Sequence, residues 1–237
     1  MADGIYTTLG RQVGLLREMD VIAQNIANAA TTGFRAEGLV FSEHVTKAPD
    51  GGPSVSFALA DGRHVRREQG ALEGTGGALD LAIEGDGYFL VDVGGTPHLT
   101  RAGAFVAAAD GGIVTPEGHP VLDAGGAPVF VPPGTSDIHV GRDGTLSADG
   151  APLAQIGVVR PDAPDAMRRG AGTTFVADGY VAVEAPSIQQ GFLEASNVSP
   201  VMQIARMIAV QNAYEMGQGF MDREDQRMRS IMRLMDR

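Results

Sequence analysis

The spacing of apolar residues changes twice along this 237-residue chain, so its two ends and its middle must fold differently. Near the N-terminus, Ile5, Leu9, Val13, Leu16, Met19, Ala23, Ile26 and Ala30 recur at steps of three or four. Arg11, Arg17, Glu18 and Gln24 lie between them. This spacing predicts an amphipathic helix about 39 Å long at ~1.5 Å per residue. Thr31-Thr32-Gly33 closes it, with Gly33 suited to a left-handed cap.

At the other end, Ser199-Pro200 is a helix start, a capping hydroxyl followed by a residue that tolerates the first helical position. From there Met207, Val210, Tyr214, Gly217, Met221, Met228, Ile231 and Met235 alternate steps of three and four, interrupted by Glu224. A pattern held this long predicts a coiled-coil seam flanked by Asp222, Arg223, Arg227, Arg229 and Arg233.

Between the helices the period falls to two. Leu79, Leu81 and Ile83 alternate, Tyr88–Val93 does so less strictly, and Val129–Val131, Ile138–Val140 and Ile156–Val159 are further short runs. Asp-Gly dipeptides at 110–111, 143–144, 149–150 and 178–179 mark turns. Short strands at this spacing predict an antiparallel domain of sandwich or barrel type, and the absence of strand–helix alternation argues against a parallel sheet. Residues 35–78 fit neither period. They read as a connector with loops at 48–54 and 73–77 and strands near Val55–Leu59 and His64–Arg67.

Composition narrows the function. The net charge is −11, and Lys47 is the only lysine among 18 basic residues, which disfavours nucleic acid or an anionic membrane as partner. No apolar run approaches the roughly 18 residues needed to span a bilayer, so no direct membrane insertion is expected. Asp3, Arg11, Arg17, Glu18 and Asp20 interrupt any signal-peptide core, so no cleavable signal is expected. With no cysteine, thiolate chemistry and disulfides are excluded.

Catalytic and cofactor sites find no support either. The histidines at 44, 64, 98, 119 and 139 lack metal-ligand spacing. The segment Asp143–Gly150 resembles a calcium loop only superficially, since its sixth position is Ala148 and no bidentate Glu follows. Glu84 and Asp86 straddle Gly85 with no His, Arg or metal partner nearby in sequence. Gly74-Thr75-Gly76-Gly77 lacks the Lys-Ser/Thr of a phosphate loop. No catalytic residue, metal or cofactor is expected.

Three stretches carry a resemblance. The first is Asn25-Ile26-Ala27-Asn28-Ala29-Ala30-Thr31-Thr32-Gly33-Phe34. The second runs Leu79–Phe89, with Leu99-Thr100-Arg101-Ala102-Gly103-Ala104-Phe105 and Val114–Leu122 after it. The third is Leu193-Glu194-Ala195-Ser196-Asn197-Val198, followed by Arg206-Met207-Ile208 and Gln211-Asn212-Ala213-Tyr214-Glu215. In this order they resemble the axial proteins of the bacterial flagellum, the rod and hook family. Asn212 departs from the pattern, where an Arg is usual. The opening Ile5-Tyr6-Thr7 with Arg11-Gln12, the modest length and the Arg-rich C-terminal end are most similar to the proximal-rod branch.

The resemblance implies an α+β fold. The terminal helices (1–34 and 195–237) would pair as a coiled-coil-like α domain, 35–78 would be an extended connector, and 79–194 an outer antiparallel β domain. It implies a structural subunit that polymerises helically with its own copies and neighbouring rod proteins, transmitting torque around an export channel. It further implies export through the flagellar type III apparatus to a periplasmic rod. Assembly would rest on Leu9, Leu16, Met19 and Ile26, on Asn25, Asn28, Thr31, Gly33 and Phe34, and on Met207, Val210, Tyr214, Met221, Met228 and Ile231. The rival readings are a distal-rod or hook-type axial protein, and a secreted β binding module tethered by a coiled coil.

Overall fold

A computed structural model describes residues 2–46, 55–135 and 137–235. The chain divides into two compact units. One comprises Met1–Ala27, Glu37–Arg66 and Ser199–Arg237, and the other Asn28–Ala36 and Arg67–Val198.

The first unit contains both long helices, α1 (Ala2–Ala27) and α2 (Pro200–Met235). Pro200 occupies the first position of α2, and the N–H of Gln203 donates to the Ser199 carbonyl at 3.0 Å, so the expected start is the observed one. Helix α1 stops at Ala27, three residues before the last apolar position of its pattern, and Asn28–Ala30 form a turn.

Strands β1 (Glu37–Thr46) and β2 (Val55–Val65) complete this unit as an antiparallel hairpin. The expected short strands at Val55–Leu59 and His64–Arg67 are therefore one continuous strand ending at Val65. Asp61-Gly62 has the composition of a turn. The register passes from Val40↔Gly62 to Phe41↔Ala60, however, so Asp61 is absorbed as a bulge and pairing continues. The loop expected at 48–54 lies outside the described residues.

In the second unit every strand pairing is antiparallel. Its widest sheet runs Arg168–Arg169, Thr174–Val176, Thr96–Thr100, Tyr88–Val93, Val158–Pro161 and Tyr180–Ala182. A three-stranded sheet combines Ala151–Gln155, Thr145–Ala148 and Ile138–Val140. Short ladders join Leu81–Ile83 to Ile188–Gln190 and Leu72–Gly74 to Phe192–Glu194. Among the described residues no sheet closes into a barrel, which corrects that part of the expectation. The edge strands of the widest sheet, Arg168–Arg169 and Tyr180–Ala182, are two and three residues long and too short to seam together.

The core of this unit is mainly aliphatic, as the scarcity of aromatics requires. Leu81, Ile83, Val91, Val121, Leu146 and Ile188 are buried around Phe89, whose ring meets Phe105 edge-on at 5.2 Å. At Asp149-Gly150 both residues take positive φ (48° and 81°), the conformation that a tight hairpin turn demands.

Candidate assembly surfaces

Helices α1 and α2 lie antiparallel, Gln12 opposite Tyr214 and Glu18 opposite Arg206. Gln12 Nε2 donates to the Tyr214 carbonyl at 2.9 Å, and Arg206 Nη2 meets Glu18 Oε1 at 2.6 Å. The helices approach closely where α2 has Gly217, since a Cβ there would stand 2.1 Å from Gln12 Nε2. This register runs off the start of α1 near Met228, which leaves Met228 and Ile231 on an exposed extension of α2.

The face of α1 turned inward is not the one its apolar period suggests. Buried positions are Gln12, Val21, Ile22 and Asn25, with Met19 and Ile26 half-buried. Leu9 (51% exposed), Val13 and Leu16 stand in solvent, within a turn of buried Gln12. Helix α2 behaves similarly. Val210 is buried and Met207, Tyr214 and Met221 are half-buried, while Val201 (76%), Ile204 and Ile208 (53%) form an exposed stripe at helical spacing. Each helix therefore carries large apolar residues that the chain leaves exposed, beside the covered surface on α1 and opposite Val210 on α2.

The signature at the end of α1 serves the chain's own fold. Asn25 grips the backbone of Glu37 from both sides, its Nδ2 donating to the Glu37 carbonyl at 2.8 Å and its Oδ1 accepting the Glu37 N–H at 2.9 Å. Within the second unit, Thr31 Oγ1 contacts Asn28 Oδ1 at 3.2 Å and the Thr31 N–H donates to the Asn28 carbonyl. Gly33 takes φ +67° and donates its N–H to the Glu194 carbonyl at 2.7 Å. Phe34 is buried with Ala36 and Val198, and the Arg169 guanidinium lies 4.4 Å above its ring.

Sequence spacing gave no warning of the buried charges in the second unit. Arg35, Arg101 and Glu194 are at most 3% exposed and both arginines contact Glu194, although 159 residues separate Arg35 from Glu194. Burial pulls the Arg101 guanidinium below its ordinary range, an effect opposed by Glu194. Burial also pushes the neighbouring Tyr88 hydroxyl up. Neither charge stands out locally, since Leu99–Phe105 also holds Thr100 and Leu193–Val198 also holds Ser196 and Asn197.

The candidate chemistry weighed from sequence is accounted for by local structure. Glu84 Oε2 accepts from Ser187 Oγ and Gln189 Nε2, while Asp86 is exposed. Asp143 caps its own turn, accepting from the Thr145 N–H and hydroxyl, and these bonds hold its carboxyl below the usual range. Among the described residues no group of three or more His, Cys, Asp or Glu is placed to hold a metal ion. Among the described residues no helix is long and apolar enough to cross a membrane.

Comparison with known proteins matches all three signatures. Residues 5–35 match the family described as "Flagella basal body rod protein". Residues 82–148 match "Flagellar hook protein FlgE/F/G D1 domain", and 189–234 match "Flagellar basal body rod FlgEFG protein C-terminal". The flagellar basal-body rod protein FlgF of Caulobacter vibrioides is 39% identical over 98% of this chain and 97% of its own length. FlgF of Mesorhizobium japonicum is 38% identical over 91% of this chain and 90% of its own. FlgG of Bacillus subtilis is 28% identical over 99% of both. With relatives this similar over nearly its whole length, the chain belongs to the flagellar basal-body rod protein family.

Proposed function

We propose that this chain is a structural subunit of the flagellar rod, of the proximal FlgF type, and that it acts by assembly rather than by catalysis. The observation that carries this reading is the exposed apolar stripe on each terminal helix, Leu9, Val13 and Leu16 on α1 and Val201, Ile204 and Ile208 on α2. Large apolar side chains in contiguous stripes mark surfaces that another protein covers. Two different stripes on one chain suit a heterologous contact, which propagates as a helix instead of closing as a dimer.

In this reading, copies of the chain and neighbouring rod proteins pack their terminal helices around an axial channel. Leu9, Leu16, Met228 and Ile231 make contacts between subunits. Met19, Ile26, Met207, Val210, Tyr214 and Met221 hold the helix pair that presents them. Asn25, Asn28, Thr31, Gly33 and Phe34 shape the segment after α1. A stiff array of such helices transmits torque. Export through the flagellar type III apparatus delivers the subunit to the periplasm. FlgF relatives reach 36–39% identity, although others are 30–33% identical and FlgG relatives 28–31%; the upper end of the range favours the proximal branch.

Cryo-electron microscopy of purified basal bodies tests the reading. Density for this chain in the proximal rod, with both helices lining the channel, is the expected result. Density in the distal rod changes the branch, and absence from the basal body overturns the proposal.

A further inference from the structure

The unit built from Asn28–Ala36 and Arg67–Val198 closes over two cations and one anion. Arg35 is fully buried, and its Nη2 lies 2.8 Å from Glu194 Oε1. Arg101 approaches the other carboxylate oxygen, Nη1 to Oε2 at 3.3 Å. The remaining partners are neutral. Arg35 Nη1 donates to the carbonyls of Arg67 (3.1 Å) and Glu68, and Arg101 donates to those of Ile83 (3.0 Å) and Gly85. The Gly70 N–H donates to Glu194 Oε1 at 3.1 Å, and the Tyr88 ring lies under the Arg101 guanidinium at 5.4 Å. The Nε atoms of both arginines are buried with no acceptor, and Arg35 Nη2 and Glu194 Oε2 meet their partners as charge contacts without hydrogen bonds.

Such a site is short of negative charge. Carbonyl dipoles solvate a guanidinium in part, but a dry site holding two of them depends on whatever full anion it has. The one buried carboxylate in contact with them is supplied near the end of the unit's sequence, and the exposed Asp86 acts on Arg101 less than Glu194 does. The same short segment brings several backbone partners. Phe192–Glu194 pairs with Leu72–Gly74, and the Ala195 N–H donates to the Ala71 carbonyl at 2.8 Å. Asn197 Oδ1 accepts the Ala36 N–H at 2.7 Å, and its Nδ2 donates to the Glu68 carbonyl at 2.8 Å.

We infer that Glu194 is the closing counter-ion of a two-arginine receptor, and that the β unit completes its fold only when residues 192–197 arrive to fill it. Everything N-terminal to this segment brings Arg35 and Arg101 together without an anion between them. A chain that ends before residue 192 therefore stays open, with the Phe34 segment undocked. The β unit thus registers whether the chain has reached residues 192–197. The inference rests on these contacts alone and holds whether or not the chain is a rod subunit.

The test uses the full chain. Glu194→Ala is expected to lower the thermal midpoint of the β unit by ~10 °C, the size of effect that stranding a buried charge produces in a domain of this length. Formate, a small carboxylate that fits the vacated space, should restore part of that loss where chloride at equal ionic strength does not. Equal effects of the two salts overturn the receptor. If Glu194→Ala does not fold, Glu194→Gln and Arg101→Met decide the matter. Arg101→Met leaves one cation facing one anion and should cost less than Glu194→Gln, which strands two cations. The reverse order, or a Glu194→Gln midpoint equal to wild type, overturns the inference.

Discussion

Gly33 and Gly217 show how differently two glycines of one chain tolerate a side chain. Gly33 takes φ +67°, and a Cβ there would stand 2.2 Å from the Ala102 amide nitrogen and 2.3 Å from the Arg101 carbonyl carbon. Both atoms are backbone and cannot step aside, and the left-handed conformation is itself unfavourable for alanine. Gly217 is helical, and the atom a Cβ would strike at 2.1 Å is Nε2, the far end of the flexible Gln12 side chain. Gly33→Ala should therefore destabilise the β unit by at least ~2 kcal/mol. Gly217→Ala should cost less than about 1 kcal/mol, because better helix propensity offsets the displacement of Gln12. Chemical denaturation of the two variants measures both values, and a larger loss at Gly217 contradicts the argument.

At the scale of elements, the helices have separable duties on separate faces. The inner face of α2 carries Val210, buried against α1, and the outer face carries Ile208, half of whose surface meets water. Ile208→Asp should leave the thermal midpoint of the isolated chain nearly unchanged, within the ±0.5 kcal/mol usual for exposed sites. Incorporation into basal bodies should nonetheless fall sharply, because assembly would bury an unpaired carboxylate. Met221→Asp, on the half-buried inner side, should loosen the helix pair and block incorporation while the β unit stays folded. Circular dichroism with immunoblots of purified basal bodies checks both variants, and normal incorporation of Ile208→Asp refutes the outer-face contact.

At the scale of the whole molecule, the two units should differ in how firmly they hold their backbone hydrogen bonds. The β unit has a continuous aliphatic core and the buried charge group, whereas the helix pair rests on one narrow stripe with apolar residues still exposed. Hydrogen exchange on the dilute chain should find the strands Tyr88–Val93 and Val158–Pro161 protected far longer than α2 beyond Met221. In assembled basal bodies α2 should become slow to exchange along its length. Equal protection of both units in the dilute chain contradicts this division.

Much of the architecture was legible in contiguous residues. The start of α2 at Ser199-Pro200, the positive φ at Gly33 and the Asp149-Gly150 turn are each set by neighbours within a few positions. The same is true of the period-three-and-four and period-two stretches that separate helix from sheet. Features that depend on distant partners were not legible. The burial of the polar Gln12 on α1 is chosen by Tyr214, some 200 residues away, and that of Asn25 by the backbone of Glu37, while Leu9 and Leu16 are left outside. The β1–β2 hairpin runs through Asp61-Gly62 because the partner strand at Val40-Phe41 accepts a bulge. Arg35, Arg101 and Glu194 looked like ordinary charges until the fold brought them into one dry site. The sequence by itself thus determined which elements form, since period, caps and turns are local energies. Only the tertiary structure decided which faces meet and which charges are buried, since those energies exist only between residues far apart in the chain.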